Sequence, residues 1–151
     1  MSLPPIIEVE DLIKIFTKKG VLIFDVSNGQ NARTNYEKEH LAGAFFVDTN
    51  TQLANIKNDL SIGGRHPLPD HKAFAETLTA LGITKDSHVI LYDDKNGSNA
   101  AARFWWMLKS AGHQKVQVLN GGLNQAREKH FPLSSKAEVP QRAHELYPTD
   151  Q

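Results

Sequence analysis

The stretch Val89-Ile90-Leu91-Tyr92-Asp93-Asp94-Lys95-Asn96-Gly97-Ser98-Asn99, running on into Ala100-Ala101-Ala102-Arg103-Phe104-Trp105-Trp106, decides the fold. Four consecutive apolar positions end in acidic residues and an Asn-Gly turn, and a helical pattern follows at once. A strand apolar on successive positions is covered on both faces, as in a parallel sheet. The design recurs at Val21 to Val26 before Ser27-Asn28-Gly29, at Val116 to Leu119 before Asn120-Gly121-Gly122, and more briefly at Ala44 to Val47 before Asp48. A short first strand is expected near Ile6-Ile7.

Helical stretches separate these runs. Val9, Leu12, Ile13 and Phe16 fall at i, i+3, i+4 and i+7, and Phe74, Leu78 and Leu81 repeat the stripe ahead of Gly82, a fitting C-terminal cap. From Asn99 to Gly112 a third helix is so apolar around its circumference that it should be sandwiched. Alternating strands and helices with right-handed crossovers give a three-layer α/β domain whose five-stranded parallel sheet is flanked by helices. Residues 49–70 have weak periodicity, Gly63-Gly64 and two prolines, and read as a long surface connection. The folded domain is expected over 1–133, with 134–151 a polar linker or tail.

The chain has 151 residues, enough for one core, and 40% of them are apolar. Seventeen Lys and Arg balance seventeen Asp and Glu, which argues against a nucleic-acid or anionic-membrane partner. The opening MSLPPIIEVEDLIK turns acidic too soon for a secretory signal, and no apolar run is long enough to span a membrane, so a cytoplasmic setting is expected. There is no cysteine. That excludes disulfides, thiolate metal sites and every cysteine nucleophile.

Ligands of parallel sheets bind beyond the carboxyl ends of the strands, so the loop of Asp93, Asp94, Lys95, Asn96, Gly97, Ser98 and Asn99 is the first place to seek chemistry. A strand-to-helix loop aims backbone N–H groups and the positive end of the helix dipole into one concavity, which suits an anion. The same residues also fit an ordinary turn in which Asp and Asn cap the helix.

Several segments together resemble the rhodanese sulfurtransferases, above all the N-terminal half of the two-domain thiosulfate or 3-mercaptopyruvate enzymes. They are Leu22 to Val26, Tyr36-Glu37-Lys38-Glu39-His40-Leu41-Ala42-Gly43-Ala44, Val89 to Asp93, Ala102-Arg103-Phe104-Trp105-Trp106, and Gly112-His113 followed by Val116 to Gly122. Ala42 replaces the signature proline, and Ala126 stands where the family usually has Trp. Asp93 occupies the position of the catalytic Cys, and the resemblance implies that Asp there, with Arg-x-Trp-Trp, marks the non-catalytic half. It further implies a Cys-bearing C-terminal rhodanese domain of the same polypeptide as partner, no cofactor, and a role in walling the substrate cleft.

The chemistry of Asp93 agrees with that implication. Sulfur transfer needs a soft thiolate that attacks a sulfane sulfur and leaves as a persulfide, which a carboxylate cannot do. A fixed negative charge also opposes an anionic substrate: at an effective dielectric near 20, two unit charges about 4 Å apart repel by roughly 4 kcal/mol. Asp93 is therefore expected to accept the loop N–H groups itself, as a permanent internal anion.

Arg103, among apolar neighbours on its helix, is expected to be half-buried in a structural ion pair with Asp25 or Asp93, Asp25 being preferred. Trp105 and Trp106 point to different faces and should fill core or interface space. His40 lacks a second ligand at metal spacing, and the resemblance implies that it belongs to a structural turn. Arg33, Arg65 and His66 read as loop residues, and Gly121-Gly122 as a tight turn with no phosphate-loop pattern behind it. Asp93-Asp94 lacks the Asp-x-Asp spacing of an aspartate phosphatase. Two other readings stand beside the half-enzyme: a free-standing inactive module that binds a protein or small anion, and an active domain whose Cys was changed to Asp. A homodimer through an apolar face left bare is a further expectation.

Overall fold

The central strands follow from their sequence: Val21–Asp25 (β2), His88–Tyr92 (β5) and Val116–Leu119 (β6) are short and rich in Val, Ile and Leu. In the computed structural model, which describes residues 3–27, 29–48, 71–94 and 100–148, they are joined by Ile6–Ile7 (β1) and Phe45–Phe46 (β4) in one sheet of order β1-β6-β5-β2-β4. All pairings are parallel, with Asp25 opposite Tyr92 and Leu91 opposite Val118. A small antiparallel ladder joins His40–Leu41 (β3) to Leu133–Ser134 (β7). The expected five-stranded α/β architecture is the observed one; residues 49–70 lie outside the described residues.

Five helices flank the sheet among the described residues: Val9–Ile15 (α1), Ala32–Lys38 (α2), His71–Ala80 (α3), Ala100–Ser110 (α4) and Gly122–Glu128 (α5). On one face Phe74, Leu78, Phe104, Met107 and Leu108 pack on Phe24, Val89 and Leu91. On the other, Val9, Leu12 and Ala126 pack with Ile23, Ile90 and Leu119. In α1 the stripe holds at Val9, Leu12 and Phe16, whereas Ile13 is exposed and Ile15 takes the half-buried place. Helix α4 is not sandwiched: Ala102, Arg103, Trp106 and Ser110 share a solvent-facing side. Alanine and tryptophan look apolar in sequence, but the sheet needs only one face of α4.

The expected boundary at 133/134 is corrected. Residues 134–148 form a strap that leaves β7 on one face of the sheet and ends with Tyr147 in the core of the other. Tyr147 is 2% exposed. Its N–H donates to Thr79 Oγ1 at 2.8 Å, the Thr79 carbonyl accepts from Ala143 N–H at 2.9 Å, and the Glu138 N–H donates to Tyr36 Oη at 3.1 Å. The strap also fixes Gly82: its φ of +83° closes α3, and a Cβ there would lie 2.7 Å from the Gln141 carbonyl oxygen. The polar composition of 134–151 concealed this because one buried tyrosine and a few backbone hydrogen bonds suffice to dock a short segment.

Candidate functional site

Parallel pairing of β2 with β5 brings Asp25 beside Tyr92, and Asp93 follows directly. These residues line a cleft of about 270 Å³ at the carboxyl end of the sheet, with Ser27, Lys38 and Asp94 also on its wall. Asp93 is 1% exposed, and its Oδ2 accepts the N–H of Ala101 at 2.8 Å. Ala101 lies in the first turn of α4, so the carboxylate occupies the place where orphan amides and the helix dipole favour negative charge. Of the loop expected to cradle an anion, Lys95, Asn96, Gly97, Ser98 and Asn99 lie outside the described residues, while Asp94 is exposed.

The Gly121-Gly122 turn is part of this site. Gly122 begins α5 at a φ of +57°, and a Cβ there would come within 2.6 Å of the Asp93 carbonyl oxygen. Any side chain would push the backbone after β5 away from α5. The glycine pair serves close packing behind Asp93, as expected.

Asp25 is 5% exposed, and its Oδ1 accepts the Ser27 N–H at 2.9 Å. Burial raises its carboxyl above the usual aspartate range, outweighing the Ser27 hydrogen bonds, and the charge of Asp94 acts in the same direction. The Tyr92 hydroxyl accepts the Leu41 N–H at 3.2 Å; burial, and then the negative charge of Asp25, pushes this phenol well above its ordinary value.

The expected ion pair between Arg103 and Asp25 is not formed. Arg103 is on the exposed side of α4, and among the described residues the ion pairs do not join it to Asp25 or Asp93. Asp25 takes a backbone N–H from Ser27, and Asp93 takes one from Ala101, so neither depends on a buried guanidinium. Among the described residues the cations lining the cleft are instead Lys38 and Arg127, the latter paired with Glu39. Sequence reasoning missed them because α2 and α5 are brought together only by the fold.

The remaining residues fall into place singly. Trp105 is half-buried and donates its indole N–H to the Val116 carbonyl at 3.1 Å, whereas Trp106 is 45% exposed, so the two do face apart. His40 is fully buried, stacks on Tyr36 at 3.9 Å and donates from Nδ1 to the Tyr36 carbonyl at 2.7 Å. Tyr36 donates its hydroxyl to the Ala44 carbonyl, which closes the turn. Ala42, in place of proline, uses its N–H to bond the Pro132 carbonyl at 2.9 Å, a bond proline could not make. Ala126 is fully buried. Arg33 is exposed and pairs with Glu37; Arg65 and His66 lie outside the described residues. No group of metal-ligating side chains is assembled among the described residues, and none of the described helices is long and apolar enough to cross a membrane.

A family model described as a Rhodanese-like domain matches residues 8–129. The chain is 35% identical over 136 residues to the thiosulfate/3-mercaptopyruvate sulfurtransferase 2 of Arabidopsis thaliana, covering 87% of this chain and 38% of the relative. It is 35% identical over 113 residues to the human 3-mercaptopyruvate sulfurtransferase, covering 74% and 36% respectively. Among solved structures it superposes on the 3-mercaptopyruvate sulfotransferase SseA of Escherichia coli with a TM-score of 0.80 at 26% identity, over 99% of this chain and 58% of that one. The aligned region is 38% of the plant relative and 36% of the human one.

Proposed function

The chain belongs to the rhodanese-like family, and on that premise we propose that it is the non-catalytic, N-terminal type of domain in a thiosulfate or 3-mercaptopyruvate sulfurtransferase. The observation that carries the proposal is Asp93: a buried carboxylate, capping α4, stands where the resemblance implies a cysteine. In the transfer reaction a thiolate takes the outer sulfur of thiosulfate, releasing sulfite, and the persulfide then yields that sulfur to an acceptor such as cyanide. Asp93 supplies neither the nucleophile nor the leaving group, and the sequence contains no thiol. The reaction belongs to a Cys-bearing domain packed across the carboxyl end of this sheet. Lys38 and the Arg127–Glu39 pair would then form part of the cleft wall facing that domain.

The test is direct. The purified chain, supplied with thiosulfate and cyanide, should form no thiocyanate above the buffer rate, and the gene should continue past codon 151 into a second rhodanese domain with Cys after an apolar strand. Thiocyanate formation by the chain alone would overturn the reading, and a stop codon at that point would favour a free-standing binding module. Asp93→Cys should restore little or no turnover, because residues around Asp93 are arranged to cap a helix with a carboxylate; robust turnover would mean that the loop is a working persulfide cradle.

A further inference from the structure

At the opposite end of the sheet from Asp93, a cavity of about 380 Å³ opens where β2, β5 and β6 begin. That is within the size range of small-molecule sites, about 300–1,000 Å³. Leu3, Ile15 and Val21 give it a half-buried apolar wall, and His88 lines it between them and β6. The imidazole is held in place: its Nε2 donates to Gln117 Oε1 at 2.8 Å, while the Gln117 amide nitrogen donates to the Pro4 carbonyl at 3.0 Å. The amide must accept with its oxygen, which fixes both side chains.

The rim is basic. Lys18, Lys19 and Lys115 are all exposed there, against the single carboxylate of Asp86. Among the described residues the ion pairs engage Arg33, Arg127, Lys129 and Arg142, and none engages these three lysines. Lys18 and Lys19 follow the C-terminus of α1, where cations complement the helix dipole. That accounts for two of them; Lys115, which precedes β6, has no such reason to join, and its approach adds like-charge repulsion. A chain of zero net charge has thus gathered unpaired positive charge at one concavity.

We propose that this cavity binds an organic phosphate of nucleotide size, with its phosphates on Lys18, Lys19 and Lys115 and its apolar body against Leu3, Ile15 and Val21. The combination of an apolar wall and a cationic rim distinguishes it from a site for a bare inorganic anion, which would have no use for the wall. It is separate from the cleft beside Asp93 and does not depend on the sulfurtransferase reading.

Calorimetric titration of the full chain at low ionic strength, with ADP, adenosine and pyrophosphate as probes, tests the assignment. ADP should bind, and adenosine and pyrophosphate should each bind at least about tenfold more weakly. Lys115→Glu and Lys18→Glu should each weaken ADP about tenfold, and Lys136→Glu, an exposed charge on the strap, should leave it unchanged. Lys115→Gln replaces the reversal if thermal unfolding shows that Lys115→Glu lowers stability. Absence of ADP binding, equal binding of adenosine or of pyrophosphate, or an equal loss on Lys136→Glu would each overturn the proposal.

Discussion

The two ends of this sheet bury polar groups in opposite ways. At the amino end His113 is 1% exposed; its Nε2 donates to the Ser87 carbonyl at 2.9 Å, so Nδ1 accepts the Tyr147 hydroxyl at 2.6 Å. Thr79 is equally buried and both donates and accepts. These buried groups are neutral and partnered, the condition under which buried hydrogen bonds stabilise. At the carboxyl end Asp25 and Asp93 are buried carboxylates beside a phenol, and each accepts a backbone N–H, from Ser27 and Ala101 respectively. Burying charge costs free energy unless something uses it, and folds accept that cost at sites rather than in cores. The difference separates a latch from a site.

The largest effect expected from breaking this contrast is at the latch. Tyr147→Ala removes a fully buried ring and takes the hydroxyl partner from His113 Nδ1, and should lower unfolding free energy in urea by about 3–5 kcal/mol. Unchanged stability would mean that the strap is not part of the domain. At the other end Asp93→Ala removes the acceptor for the Ala101 N–H and should cost about 0.5–2 kcal/mol, the range for a helix cap, with Asp93→Asn closer to the parent. Equal losses for the alanine and asparagine variants would show that the charge, not the cap, matters there.

A pH series sharpens the comparison, because the two ends should respond with opposite sign. Burial lowers the His113 imidazole below its ordinary value, so its neutral form favours the fold fully above about pH 6.5, and that contribution is lost as pH falls below this. Burial raises Asp25, so its contribution is complete below about pH 3.8 and is lost as pH rises through the raised value. Urea unfolding of Asp25→Asn should therefore gain on the parent as pH increases, whereas His113→Gln should lose least at the acidic end. Parallel pH profiles for the two variants would refute the contrast. The smallest effect belongs to the rim: Arg127→Ala breaks a surface pair with Glu39 and should change stability by less than about 1 kcal/mol.

Much of the carboxyl end was legible in the chain. The apolar run ending at Tyr92 and the glycine pair after β6 have local signatures, and each occupies the place expected of it; Asp93 is buried and accepts the Ala101 N–H, while the loop amides expected to reach it lie outside the described residues. Arg103 misled, since a charge between apolar residues suggests burial only if the helix is covered all round, and α4 is not. Lys38 and Arg127 were missed because nothing near either residue in sequence marks a cleft. The latch was hidden for a related reason: Tyr147 lies in a polar stretch, and its partners His113 and Thr79 belong to distant elements.

By itself the sequence determined the layered parallel architecture and the absence of a thiol, because both follow from residue type and from apolar patterning along a few consecutive positions. Tertiary structure alone decided which face of α4 meets solvent, that the strap closes the second core, and that three lysines from two distant loops share one cavity. Those are consequences of which distant segments meet in space, and side-chain periodicity within one segment carries no record of its neighbours.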